Sequence, residues 1–179
     1  ENSFFIFDGS VKEIKSDVHD TVFDNLNNQY RRVTAGGHNS NFNEIIWFYP
    51  TGSGSQTPNK YVIWNYLDNV WSVGTMDRGC WIDQGVFDFP IACDSLGNVY
   101  QHESTTLSNS DNLGNAVPFC KSGPIEIGNG DNYVQCNQII PDEEANSLPG
   151  VTISFKGKFT PLGSETDFGS FTFDSTSSI

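Results

Sequence analysis

Positive charge is scarce in this chain. Nine lysines and arginines stand against 22 aspartates and glutamates in 179 residues, for a formal charge of −13. Nucleic-acid affinity rests largely on basic side chains that neutralise phosphates, so tight DNA binding is an unpromising function class. The plain consequence of the acidic balance is solubility and well-solvated loops. Long apolar runs are missing too: none approaches the roughly 18 residues of a membrane-crossing helix, and no charged segment followed by an apolar one marks an export signal. A soluble protein with no membrane partner is expected. The chain has no HExxH, GxSxG, phosphate-loop or dinucleotide-binding fingerprint, and its three histidines, His19, His38 and His102, are far apart. No catalytic residue is nominated, and the chain is read as not an enzyme.

The four cysteines, Cys80, Cys93, Cys120 and Cys136, are spaced 13, 27 and 16 apart, without a CxxC pair or histidines at zinc-finger spacing. No metal site and no cofactor are expected. An even count permits a disulfide, but Cys93 ends the apolar run from Phe89, and a buried free thiol is the commoner state in a protein made in the cytosol. The reading is reduced, structural cysteines.

What the chain does have is aromatic strands. Aromatics are 13% of the residues and charged groups only 17%, while Asn, Ser, Thr, Asp and Gly fill the gaps between short apolar runs. That is the pattern of many strands joined by turns, and it predicts an all-β fold. The richest stretch runs from Asn43 to Met76. Its strands place Glu44, Ile46 and Phe48 against Ile45, Trp47 and Tyr49, then Tyr61, Ile63, Asn65 and Leu67 against Val62, Trp64 and Tyr66. Neither face reads as polar. An antiparallel meander normally leaves one face wet, so this one predicts cover on both sides, as in a propeller blade or a stack of sheets.

Along the chain, Phe4 to Phe7 and Val11 to Ile14 read as a hairpin about Asp8-Gly9, which supplies positive φ for a tight two-residue turn. Val18, Val22, Phe23 and Leu26 recur at helical spacing within Ser16 to Leu26, with Ser16 or Asp17 to accept from first-turn amides. Tyr30 to Ala35 is expected as the edge strand of a four-stranded group that ends with Val70 to Val73. Phe87 to Cys93 and Asn98 to His102, about Asp94-Ser95-Leu96-Gly97, repeat the opening hairpin 86 residues on, near two units of about 40–45-residue blade spacing. The expected organisation is a propeller-like region over 1–103, a linker over 104–114, and a second, sandwich-like β region over 115–179 that is incomplete at its C-terminus. Strands are expected at Ala116 to Cys120, Ile125 to Ile127, Tyr133 to Ile140 and Val151 to Phe159. In the last, Val151, Ile153 and Phe155 alternate with Thr152, Ser154 and Lys156, leaving one wet face. The opening directly into a strand predicts a fragment of a longer polypeptide.

Other candidates have simpler readings. Asp142-Glu143-Glu144 could supply carboxylates for glycoside hydrolysis, but neighbouring side chains diverge and an exit into a solvated loop is the expectation. The segment from Gly128 to Asn132 lacks the ligand spacing of a calcium loop and reads as a turn. Gly52 to Pro58 reads as a flexible connection, since no lysine and no helix follow it. Trp47, Trp64 and Trp71 could stack on sugar rings if exposed, but with apolar residues on both sides they read as core.

Taken in order, several segments resemble tail hub or nozzle-type (tail tubular) structural proteins of short-tailed bacteriophages. They are Phe42 to Pro50, Tyr61 to Tyr66, Trp71 to Thr75, Phe87 to Ala92, Gly97 to Glu103, Ser122 to Asp131 and Ile139 to Asp142. The resemblance covers nearly the whole chain. It implies a non-enzymatic virion component made in the host cytoplasm and placed in the tail. It implies a homo-oligomeric ring, favoured as a hexamer, around the DNA exit channel, in contact with adaptor and fibre proteins. DNA would pass without specific binding, and a net negative wall would repel its phosphates. The alternative class is a glycan-binding or glycan-degrading receptor-recognition tail protein, which would need an exposed aromatic cleft with opposed carboxylates.

Overall fold

The structure, a computed structural model, describes residues 2–103, 119–125, 134–138, 140, 151–160 and 162–173. The chain divides into two units, Glu1–Asn112 and Leu113–Ile179. The linker expected over 104–114, the turn at 128–132, the acidic run 142–144 and the last six residues lie outside the described residues.

The fold is all-β, with one α-helix among the described residues. In the first unit β1 (Phe4–Phe7) and β2 (Val11–Ile14) form a hairpin in which Phe7 pairs with Val11. The loop therefore has three residues rather than the expected two. Gly9 supplies the positive φ (102°), and the Asp8 carboxylate accepts from the Ser10 amide and from Lys12 Nζ. The helix, α1, is a single turn, His19–Phe23, shorter than the Ser16 to Leu26 periodicity predicts. Ser16 Oγ accepts from the Val18 amide, but outside the helix proper, and Leu26 leaves the helical path to form a bridge with Thr51. Isolated helices this short are unstable, so packing of Val22 sets the turn, and the Leu26 bridge ends it.

Four strands follow in the order β3 (Ala35–Asn39), β4 (Glu44–Tyr49), β5 (Lys60–Asn65) and β6 (Val70–Thr75), all antiparallel. The edge strand begins where the sequence reading had it end. Residues Arg31–Val33 instead form a 3₁₀ turn, and the strand runs through Gly36 and Gly37. The reason is steric. A Cβ on Gly37 would sit 2.4 Å from the Trp81 ring, so glycine is needed at the point where that ring lies on the strand, whereas a Cβ on Gly36 would make only ordinary contact with Trp47 at 3.5 Å. The β5–β6 turn is closed by Asn65 Oδ1, which accepts from the Leu67 and Asp68 amides, with Asn69 at positive φ (54°).

A three-stranded sheet completes this unit in the order β7 (Cys80–Ile82), β8 (Ile91–Cys93) and β9 (Val99–Gln101). Strand β7 was not anticipated. Its partners are shorter than expected: Phe87 to Phe89 form bends because the Gly85 amide bonds locally to the Phe87 carbonyl, and Pro90 has no amide to give a ladder. The β8–β9 turn repeats the chemistry of the first hairpin. Gly97 has positive φ (88°), and the Asp94 carboxylate accepts from the Leu96 and Asn98 amides, Asn98 Nδ2 and the Tyr100 hydroxyl. Asn98 foremost, with those other donors, holds the Asp94 carboxyl down to about 2.

In the second unit β10 (Val151–Gly157) and β11 (Thr166–Phe173) form an antiparallel hairpin with a bulge after Phe155. The alternation read from the sequence is present. Val151 and Ile153 stand opposite Phe173 and Phe171, while Thr152–Thr172 and Ser154–Ser170 form a hydroxyl ladder with bonds of 2.9 and 2.7 Å. Residues 119–125 and 134–138 carry no strand, contrary to the strands expected to end at Cys120, begin at Ile125 and span Tyr133 to Ile140. Apolar composition alone does not make a strand, and these residues have no ladder partner among the described residues.

Candidate functional site

The aromatic meander is the one place where ligand chemistry and core packing compete for the same residues. Register settles which side chains share a face. Trp47 stands opposite Val62, and Val62 opposite Val73; Ile45, Trp64 and Trp71 lie on that same face. Ile46 and Phe48 share the other face with Tyr61 and Ile63.

The first face is covered by the N-terminal hairpin and α1. Phe4, Val22, Tyr49 and Val62 form a buried cluster, with Ile14, Val18, Phe23, Leu26, Trp47 and Trp71 packed against it. Phe4 is the hub of the ring contacts, with its centroid 4.6 Å from Trp71, 5.0 Å from Phe23 and 5.3 Å from Trp47. Trp71 in turn stacks on Trp64 at 5.7 Å. These separations match the favoured tilted and offset geometries, each contributing about 0.5–1.5 kcal/mol beyond area burial. An apolar cavity of about 220 Å³ remains between hairpin and sheet, lined by Phe4, Phe23, Trp47 and Val62 among others. The Trp71 indole N–H is buried without a partner in the protein.

The second face is covered by Trp81 from the neighbouring sheet. Its ring lies over Gly37 and 6.0 Å from Phe48, and its Nε1 donates to the His38 carbonyl at 2.8 Å. Phe48 is left 1% exposed. Polar groups fasten this cover at the β3–β4 turn. The Asp83 carboxylate accepts from the Ser40 amide at 3.2 Å and lies 3.2 Å from His38 Nδ1, while Asn41 and Gln84 exchange bonds of 2.8 and 2.6 Å. Partial burial works against ionisation of Asp83, but the Ser40 and Gln84 donors and His38 outweigh it and hold the carboxyl below its ordinary value.

The histidines are not brought together. His19 bridges Asp20 and the Asn2 carbonyl, and those two bonds raise its pKa, Asp20 foremost. His38 stacks on Tyr66, with the rings 6.0 Å apart. His102 lies against Trp81 at 4.8 Å and accepts from Arg78 Nε at 3.0 Å, while the Arg78 guanidinium covers the Tyr100 ring at 3.9 Å. Burial first, then the Arg78 charge, pushes His102 down to about 4, so it is neutral at pH 7 and serves as an acceptor. Sequence reasoning missed this Arg78–His102–Trp81 group because Trp81 lies in β7, Arg78 just before it and His102 just after β9, with no common motif.

At the far end of β3, Asn39 is wholly buried. Its Nδ2 donates to Glu103 at 3.3 Å, while its Oδ1 has no partner in the protein. Glu44, opposite Asn39 in register, has its carboxyl raised by burial and then by the Glu103 charge. Among the described residues, no three His, Cys, Asp or Glu side chains are grouped to hold a metal. Cys93 is half-buried rather than buried, and Cys80, Cys120 and Cys136 are exposed.

Comparison with known proteins finds no matching family profile, no matching curated protein and no matching solved structure.

Proposed function

We propose that this chain is a non-enzymatic structural component of a short-tailed bacteriophage tail, of the hub or nozzle type. In this reading it forms part of a homo-oligomeric ring, favoured as a hexamer, around the DNA exit channel, beside adaptor and fibre proteins. The observation that carries it is the cover on both faces of the aromatic meander, which makes Phe4, Trp47, Phe48 and Trp71 scaffold rather than a ligand platform. The four-stranded sheet is the size of one propeller blade, although no described sheet closes on itself. A sandwich-like second region would cover the apolar face of the β10–β11 hairpin.

Two further features support assembly over chemistry. The N-terminal hairpin leaves Phe5, Phe7 and Val11 exposed, a surface that a second copy in a closed ring would cover. The charge of −13 suits a channel wall from which phosphates slide away. Native mass measurement of the protein released from intact particles tests the ring: a closed set of identical chains is expected, and monomer alone overturns it.

The glycan-binding alternative keeps one foothold, because Tyr66 is exposed, edge-on to Trp64 at 6.3 Å and stacked on His38. A glycan array probed with the full chain gives no signal on the structural reading, and a Tyr66-dependent signal favours the alternative.

A further inference from the structure

Cys80 and Cys93 stand directly opposite each other across the antiparallel pair β7–β8. Both are free, Cys80 exposed and Cys93 half-buried. Directly opposed residues hold their Cα atoms about 4.5–5.5 Å apart with side chains on the same face. That separation falls inside the roughly 4.4–6.8 Å that a disulfide spans, so closing the bond needs rotation of the two side chains more than movement of the backbone. The Cys80 side chain opposite it is the foremost of the causes that raise the Cys93 pKa, ahead of burial. Cys120 and Cys136 lie in no strand and have no such opposed partner among the described residues.

We propose that Cys80 and Cys93 form a redox modification site, a dithiol that a small-molecule disulfide such as glutathione disulfide converts into an intrachain cross-strand disulfide. Cys80, the more exposed, attacks one sulfur of the reagent as a thiolate. A mixed disulfide forms on Cys80 Sγ and the first reagent thiolate leaves with the bonding pair. Cys93 then gives its proton to solvent, attacks Cys80 Sγ and expels the second reagent thiolate. Two protein thiols are oxidised by two electrons in all, and one reagent disulfide is reduced to two thiols that take up the two protons. The bond closes a short loop and ties β7 to β8 beside Trp81, the residue that covers Gly37 and Phe48 of the meander. Oxidation therefore reinforces the second-face cover at its strand-pair base.

The test equilibrates the full reduced chain with glutathione disulfide under native conditions, quenches with acid, alkylates free thiols and maps the peptides by mass spectrometry. The expected product is a chain that has lost two hydrogen atoms and has no covalent link to another, with Cys80 joined to Cys93 and with Cys120 and Cys136 never joined to either. The C120S/C136S double variant keeps the bond. C80S and C93S each lose it and stop at a glutathione adduct on the remaining cysteine. The oxidised wild type unfolds at a higher urea midpoint than the reduced form. Separate glutathione adducts or alkylated thiols at both Cys80 and Cys93 in the wild type, or a link between chains, overturn the proposal.

Discussion

The four-stranded meander and the β10–β11 hairpin are both antiparallel and rich in aromatics, yet they solve opposite problems. In the hairpin, hydroxyls of Thr152, Ser154, Ser170 and Thr172 take one face and Val151, Ile153, Phe155, Phe171 and Phe173 the other. In the meander both faces are apolar, and two different parts of the chain come to cover them: Phe4, Val22 and Phe23 on one side and Trp81 on the other. The number of polar faces in an alternating pattern thus states how many neighbours a sheet must have. It does not say which neighbours.

The largest break in this contrast is expected from Phe48→Ala. Phe48 is 1% exposed between Tyr61 and Trp81, and truncating a buried aromatic costs about 3–5 kcal/mol through lost transfer and the cavity left behind. Urea unfolding followed by tryptophan fluorescence measures it, and a loss below about 1 kcal/mol would mean that the second face is open. Next comes Gly37→Val, which drives Cβ into the Trp81 ring and is expected to cost about 1–3 kcal/mol as overpacking. Here the Trp81 emission should shift red as the indole leaves the sheet. An unchanged spectrum with unchanged stability would contradict the close approach.

A smaller, pH-dependent effect follows from His102. Its folded pKa of about 4 lies below its ordinary 6.5, so the unfolded chain takes up the proton first on acidification. Its contribution to stability is complete above pH 6.5 and is lost as pH falls from 6.5 towards 4. His102→Asn should flatten the melting temperature profile over that window, and a slope identical to wild type would place His102 in solvent. The smallest effect belongs to the second unit. Thr152→Val with Thr172→Val replaces one rung of the exposed hydroxyl ladder by an apolar pair and should change stability by less than about 1 kcal/mol. A large loss there would erase the distinction between the two sheets.

Local chemistry was legible in the sequence wherever neighbours in the chain decide it. The Asp-Gly turns, the alternation of Val151 to Phe155 and the two apolar faces of the meander were all readable from a few adjacent residues. The misplaced edge strand was not. Gly36-Gly37 has poor intrinsic strand preference, and only Trp81, more than forty residues away in sequence, makes glycine the fitting residue at position 37. Strand β7 was hidden for a related reason, since Cys80 to Ile82 is too short to signal by itself and exists because β8 pairs with it. The opposition of Cys80 to Cys93 arises from register, and the bond from Arg78 to His102 from residues that flank the same sheet; residue spacing encodes neither.

The central claim is that the aromatic meander is internal scaffold, in what we propose is a tail component whose function resides in assembly surfaces. A single-particle reconstruction of an intact virion carrying this chain tests it most directly. The account predicts the chain in a ring around the DNA channel, with Trp47 and Trp71 enclosed beneath the N-terminal hairpin. Finding it at the tip of a fibre, with Trp64 and Tyr66 facing an open cleft, would contradict the account.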